Sequence, residues 1–205
     1  MDSGAKNQCR RYGPVGLDSY WQGFLASMKS DIDLRVEDEG RPNICDLVQF
    51  HIIDETDVVK LGDLHVTALR TLHPPLLDTF ALSFKSTTNH VVFGGDTAFL
   101  PERAEFAKGA DLLVHEAMLE DAIIPLVERV GNGDDRLLKH LYASHTSASD
   151  AAKIAALAKV KMLALNHLIP TNDPDFTMEH WRQAVEPNWK GQFFLGTDGM
   201  RIALN

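Results

Sequence analysis

Four short segments of this chain share one design, in which a strand-like apolar run gives way to loop residues that begin with a histidine or an acid. Such runs of branched and aromatic residues are typical of buried strands. Strand ends along one rim of a sheet can hold polar side chains toward a common point. The sequence therefore predicts a sheet with a polar site at one edge, contributed by residues 72–75, 93–97, 113–117 and 165–170.

The remaining hydrophobic pattern predicts an α+β architecture in a single domain over residues 1–205. An amphipathic helix is predicted over 18–29, an antiparallel meander over 47–53, 58–61 and 65–69, and a hairpin from 80–84 and 90–95. Residues 35–39 are interpreted as a solvated loop. Ser147 and Asp150 approximate a capping box at the start of a helix. Helices are further predicted over 101–108, 120–130 and 149–159, and strands over 111–114, 162–165, 193–195 and 200–203.

Charge and hydropathy narrow the classes of partner. The chain carries 20 lysines and arginines against 29 aspartates and glutamates, a formal charge of −9, which would repel a phosphate backbone. No apolar stretch approaches the roughly 20 residues that a membrane-spanning helix needs. The first nine residues hold no apolar run that could act as a secretory signal. These features predict a cytoplasmic protein without a membrane partner, for which nucleic acid is an unlikely substrate.

Each polar residue at the predicted edge has a structural interpretation beside a functional one. His73 and His167 are either metal ligands or hydrogen-bonded structural histidines. Asp96 is either a ligand or the cap of a turn. His115 is consistent with a buried, bonded side chain. The five histidines at 51, 65, 90, 140 and 180 are interpreted as structural or surface residues.

The order of these motifs is more specific than any one of them. A Gly-Pro-x-Gly-Leu segment at residues 13–17 precedes the strand-end His73, and His145 with Thr146 stands ahead of a predicted helix. Gly-Asp-Thr occupies residues 95–97, His-Glu-Ala occupies residues 115–117, and His167 precedes a loop proline. In this order the chain resembles the C-terminal half of the metallo-β-lactamase-fold hydrolases, particularly the ribonuclease Z and arylsulfatase-like branch. The resemblance implies a four-layer αββα fold, here N-terminally truncated.

The resemblance also implies roles for five residues. His73 is similar to a ligand of one metal ion, Asp96 to the carboxylate that bridges two ions, and His167 to a ligand of the other ion. His145 is similar to the residue that stabilises the developing oxyanion or protonates the leaving group, and Glu116 to the residue that orients it. Two Zn²⁺ ions are expected in the intact fold, and Mn²⁺ or Fe²⁺ also suits histidine and carboxylate ligands. The implied reaction is hydrolysis of a phosphodiester, sulfate ester or carboxylic ester by metal-bound hydroxide.

One departure from the family pattern is severe. The His-x-His-x-Asp-His signature is absent, since no two of the nine histidines stand two residues apart. The remaining ligands are too few to hold two metal ions well, so this chain alone is expected to show little activity. Uncovered strand edges and apolar faces predict a homo-oligomer, as a dimer, or a poorly soluble product.

Within the branch, a small-molecule ester is predicted as the substrate, because residues 18–58 leave little room for an RNA-gripping arm. A non-catalytic truncated module that binds a partner or itself is the alternative. A phosphatase-like site with Asp96 as nucleophile and magnesium as its metal is a third reading.

Overall fold

The computed structural model describes residues 9–204, without the side chains of Asp57 and Arg103. The chain divides into two compact units, one ending at Asp54 and the other beginning at Glu55. The single domain over residues 1–205 stays a prediction. Across the described residues, no helix combines the length and the apolar character that crossing a membrane demands.

The first unit contains two parallel strands and two helices. Strand β1 (Cys9–Gly13) pairs with β2 (Val48–Ile52), and helices α1 (Leu17–Ser27) and α2 (Lys29–Glu39) lie between them in the chain. The predicted helix over 18–29 is confirmed as α1. The predicted loop over 35–39 is wrong, because these residues form the last turns of α2. This helix is supported by ion pairs at four-residue spacing, which the prediction did not take into account: Lys29–Asp33, Asp31–Arg35 and Arg35–Glu39.

The second unit is built on one mixed sheet of seven strands in the order β3-β4-β5-β6-β7-β8-β9. Neighbours from β3 to β6 are antiparallel, and neighbours from β6 to β9 are parallel. The strands are β3 (Thr56–Leu61), β4 (Leu64–Arg70), β5 (Phe80–Lys85), β6 (His90–Phe93), β7 (Leu112–Met118), β8 (Met162–Ile169) and β9 (Gln192–Leu195). The predicted hairpin is confirmed as β5 and β6. The predicted three-strand meander is wrong in its first member, because β2 pairs with β1 and not with β3.

Four helices of the second unit follow β7. They are α3 (Glu120–Val130), α4 (Arg136–Ser144), α5 (Ala148–Ala158) and α6 (Met178–Val185), and a 3-10 helix spans Pro101–Ala107. The predictions at α3 and α5 are confirmed, whereas α4 and α6 were not predicted. Residues 200–203 do not form the predicted strand. The mixture of helices with a large mixed sheet confirms the α+β class.

Small residues let α5 pack closely on the sheet. Ala151, Ala152 and Ala155 are fully buried in one cluster with Leu163 and Leu165 of β8. Burial of apolar surface on this scale is the main favourable contribution to folding. The helix starts where the sequence predicted, because the Ser147 hydroxyl accepts a hydrogen bond from the Asp150 amide at 3.1 Å. This cap also fixes where the preceding loop, with His145, must end.

Asp111 ties together the starts of three neighbouring strands. One carboxylate oxygen lies 2.7 Å from Lys161 Nζ, just before β8, and the other accepts the His90 amide of β6 at 2.7 Å. The hydrogen bond from Lys161, followed by the one from His90, holds the pKa of Asp111 below its ordinary value. A carboxyl group whose pKa is lower in the folded state stabilises the fold above its ordinary pKa, and that contribution is lost as the pH falls through the lowered value.

Asp111→Asn is expected to lower the free energy of unfolding at pH 7 by about 1–2 kcal/mol, because it removes hydrogen bonds that a charged acceptor makes. Urea unfolding of both proteins from pH 7 downward checks this expectation. The difference between them should shrink as the pH falls below about 4. A difference that stayed constant down to acid pH would contradict this role for the charge.

Candidate metal centre

The parallel part of the sheet brings three predicted site segments to one edge. Strands β6, β7 and β8 run in the same direction, so their carboxyl ends lie side by side. Asp96 follows β6, Glu116 lies near the end of β7, and His167 lies near the end of β8. The carboxyl edge of parallel strands is the common place for sites in such sheets.

Two glycines hold the loop after β6 close to its neighbours. Gly95 has a φ of 64°, and a Cβ at this position would lie 2.6 Å from the Phe80 carbonyl oxygen. A Cβ on Gly94 would lie 2.9 Å from Cδ2 of His115. Gly95 is restricted by both its conformation and its space, and Gly94 by space alone, which explains why this pair immediately precedes Asp96.

His167 lies on a bulge of β8. Asn166 pairs with Glu116 and Leu168 pairs with Ala117, so His167 is the extra residue without a partner in β7. Its φ of 43° is unusual for a histidine. Bulges turn a side chain out of the regular alternation and are common beside active sites. Here the bulge places Nε2 of His167 3.5 Å from Oδ2 of Asp96.

The Glu116 carboxylate joins two loops of the site. It is 1% exposed, and its Oε1 accepts hydrogen bonds from the Thr97 amide at 3.2 Å and the Thr146 amide at 2.9 Å. A carboxylate this deeply buried is costly unless such donors compensate it. Its Oε2 has no hydrogen-bond partner among the described residues. Glu116 thus fixes the loops on both sides of it while keeping one acceptor unused.

Two threonines extend this network to the loop of His73. The Thr97 hydroxyl accepts the Leu72 amide at 3.1 Å, and the Leu72 carbonyl accepts the Ala98 amide at 2.7 Å. The Thr146 hydroxyl donates to the Thr97 carbonyl at 2.6 Å. These hydrogen bonds were not predicted, because the order of the motifs indicates a shared edge but not which groups bond across it.

His145 lies at the centre of the site. It follows the last turn of α4, where its amide donates to the Leu141 carbonyl. The imidazole stacks on that of His167 with centroids 5.6 Å apart and meets His73 edge-on at 5.0 Å. Its Nδ1 faces Oε1 of Glu116 at 3.4 Å, longer than a normal hydrogen bond. Hydrogen bonds of catalytic groups are often long before a substrate binds.

Two sets of three side chains bring potential ligand atoms within 4.8 Å of one another. One set is Asp96, His145 and His167, and the other is His73, His140 and His145. In the part of the chain that the structure describes, no such set unites His73 with Asp96 and His167. The structure thus places His145 between two groups, and the roles expected of the five site residues stay predictions.

The chemistry of these groups fits a metal ion. Imidazole nitrogens and a carboxylate are the ligands that zinc takes in catalytic sites. Nδ1 of His73 is buried without a hydrogen-bond partner. An unpaired buried nitrogen costs stability, and a bound ion would offset that cost.

His115 contributes structure to this edge. It is 3% exposed, burial lowers its pKa, and its Nδ1 lies 2.7 Å from the Glu116 carbonyl oxygen. A neutral ring that donates to this carbonyl accounts for that geometry. The interpretation of His115 as a buried, bonded residue agrees with this position.

His140 lies beside the predicted site residues, and its interpretation as a structural or surface histidine stays a prediction. Its ring lies edge-on to His73 and to His145, with centroids 5.5 and 5.6 Å away. This position was not predicted, because it depends on helix α4, which carries His140 and Ser144 one turn apart on the same face. The four-residue spacing of His140 and Ser144 was the available signal.

Comparison with known families agrees with this fold. The family model described as "Beta-lactamase superfamily domain" matches residues 22–168. The chain belongs to the β-lactamase superfamily. Its fold is similar to that of the metallo-β-lactamase fold protein YhfI from Bacillus subtilis, with a TM-score of 0.63, 17% identity and coverage of 95% of this chain and 65% of that one. The expected membership in the metallo-β-lactamase-fold hydrolase superfamily and the expected fold are confirmed.

Curated relatives of this superfamily member carry the name ribonuclease Z. The protein from Mycobacterium marinum is 25% identical over 193 residues, which cover 94% of this chain and 66% of that protein. A putative ribonuclease Z from Mycobacterium tuberculosis is 23% identical over 94% of this chain and 83% of its own length. The structure of human tRNase Z, short form, has a TM-score of 0.58, 19% identity and coverage of 98% of this chain and 68% of that one. The chain thus spans about two thirds of the length of the first of these relatives.

These names overturn one expectation from the sequence. The prediction of a small-molecule ester as the substrate, and against nucleic acid, was wrong, because the relatives are named as ribonucleases. That prediction rested on the short segment 18–58, which leaves little room for an RNA-gripping arm, and on the formal charge of −9, which sums over the whole surface. Local fields at a site, and not the total, decide which substrate approaches it. The predicted dimer stays a prediction.

Proposed function

We propose that this superfamily member is a metal-dependent hydrolase of phosphodiester bonds in RNA. The observation that carries the proposal is the close approach of Asp96, His145 and His167, whose potential ligand atoms lie within 4.8 Å of one another. The names of the relatives support RNA as the substrate class. The proposal concerns the chemistry of this edge of the sheet.

Asp96 and His167 are the proposed ligands of one Zn²⁺ ion, and His73 is the proposed ligand of a second. The contact between Nε2 of His167 and Oδ2 of Asp96 at 3.5 Å is close enough for both atoms to reach one ion. A Zn²⁺-bound PqqB from Methylobacterium extorquens is similar in fold, with a TM-score of 0.58, 17% identity and coverage of 96% of this chain and 65% of that one. The Gly94–Gly95 loop holds Asp96 in place, and the bulge in β8 holds His167 in place.

A bound zinc ion supplies a nucleophile at neutral pH and offsets the negative charge that develops on the phosphate. His145 is the proposed proton donor to the leaving oxygen. Because its Nδ1 faces Glu116, Nε2 is the nitrogen left to carry that proton. Glu116 orients the ring, while two backbone amides keep the carboxylate in place.

Removal of the metal tests this proposal. Purified protein is incubated with transfer RNA transcripts and short single-stranded RNA, first as isolated, then after chelation, and then after addition of zinc. Cleavage is expected to stop on chelation and to return with zinc, because an ion held by Asp96 and His167 would supply the nucleophile. Cleavage that persists without metal would contradict the proposed reaction, and metal-loaded protein that cleaves neither RNA would favour the non-catalytic module.

A further inference from the structure

His140 belongs to a cluster of three imidazoles that the hydrolytic roles leave partly unused. The rings of His73, His140 and His145 are mutually edge-on, with centroids 5.0 to 5.6 Å apart. One potential ligand nitrogen from each ring lies within 4.8 Å of the others. The resemblance to the hydrolase family assigns no role to His140.

A hydrogen-bond chain sets the tautomer of His140. The Ser144 hydroxyl donates its proton to the Pro74 carbonyl at 2.8 Å, so its oxygen is left to accept from Nδ1 of His140 at 3.3 Å. Nδ1 therefore carries the ring proton, and Nε2 keeps a free lone pair. A ligand histidine usually donates its second ring nitrogen to a neighbouring oxygen in this way.

The other two rings, half-buried His73 and buried His145, each have an Nδ1 that makes no hydrogen bond to a described residue. Nδ1 of His73 is buried without a hydrogen-bond partner, and the His145 side chain is 5% exposed. Ser144, which holds His140, is fully buried as well. Three imidazoles with one open position form a known ligand set for zinc.

We infer that His73, His140 and His145 form a three-histidine site for one Zn²⁺ ion, in which His140 is the additional ligand. His145 has a single nitrogen available, because the other faces Glu116. An ion in the three-histidine site therefore occupies the nitrogen that the proposed function uses for proton transfer. This consequence, but not the binding itself, rests on the proposed function. Zinc in excess of the catalytic requirement is then expected to inhibit hydrolysis.

Calorimetric titration of metal-free protein with Zn²⁺, without substrate, tests the three-histidine site directly. His140→Ala is expected to weaken one class of zinc site by more than about 100-fold, since loss of a neighbouring hydrogen-bond partner alone costs about 10–100-fold. Ser144→Ala is expected to weaken the same site about 10-fold by releasing the tautomer of His140. NMR signals of the His140 ring nitrogens should shift when zinc is added to the wild-type protein.

One further variant separates this site from the hydrolytic one, and another serves as a control. Asp96→Asn combined with His167→Ala should leave the three-histidine site able to bind zinc. His180→Gln is the matched control, because His180 closes a capping box and glutamine preserves that bond. Its zinc affinity should equal that of the wild-type protein.

The outcomes distinguish the two proposals. Zinc binding that survives the double variant and is lost in His140→Ala supports the three-histidine site, whether or not RNA is cleaved. Zinc binding that is lost in the double variant and unchanged in His140→Ala would overturn the inference and leave the proposed function standing. Wild-type protein that binds no zinc would also overturn it.

Discussion

Replacing Asp96 by asparagine is expected to reduce RNA hydrolysis by at least about 10³-fold. Metal ions contribute several kcal/mol to transition-state stabilisation, and each 1.36 kcal/mol corresponds to a factor of ten in rate. Asparagine has nearly the same size as aspartate but lacks the negative charge, so the loop after β6 should keep its conformation. The loss would therefore report on metal binding and not on unfolding.

Single-turnover cleavage of a labelled RNA, together with zinc analysis of the same samples, measures this effect. Asp134→Asn is the matched control, since Asp134 lies in an exposed turn where it pairs with Arg136. That variant should cleave RNA at the wild-type rate. Asp96→Asn protein that retained both its zinc and its rate would refute the role of Asp96.

Replacing His145 by alanine is expected to slow cleavage of RNA by about 10²–10⁴-fold, the usual contribution of a positioned proton donor. The size of the loss should depend on the leaving group. A sugar hydroxyl leaves poorly without a proton, whereas a nitrophenolate leaves readily. Cleavage of a nitrophenyl phosphodiester should therefore slow much less than cleavage of RNA.

The ratio of the two losses in His145→Ala protein is the diagnostic measurement. Glu116→Gln should show the same dependence on the leaving group with a smaller loss, about 10–100-fold, because it acts through His145. Equal losses for both substrates would show that His145 holds substrate or metal and does not donate a proton. Because Glu116 and His145 are buried, circular dichroism of each variant checks that the substitution has not unfolded the protein.

Local rules predicted much of this fold. The cap at Ser147, the helix Glu120–Val130 and the hairpin of β5 and β6 follow from side chains close together in the chain. The pairing of β1 with β2 joins strands 39 residues apart in register, Cys9 with Val48, and no local pattern indicates such a pairing. Helix α2 was missed because its sequence is charged on most faces, and its support comes from ion pairs instead of a buried stripe.

The candidate site was predictable in its members but not in its arrangement. The order of His73, Asp96, Glu116, His145 and His167 was visible because each stands beside a recognisable strand or helix end. Their meeting at one edge was predicted, but their division into two sets around His145 was not, because it depends on the bulge at His167 and on the hydrogen bonds that Thr97 and Thr146 make between loops. The three-histidine cluster depends in addition on helix α4, which the sequence argument did not predict.

The central claim is that Asp96 and His167 hold a metal ion at the carboxyl edge of the sheet. Anomalous diffraction at the zinc absorption edge, from crystals grown with zinc, tests it most directly. We expect a peak about 2.0–2.2 Å from both an Asp96 oxygen and a His167 nitrogen. Zinc-bound crystals with no peak within reach of those two side chains would contradict the claim.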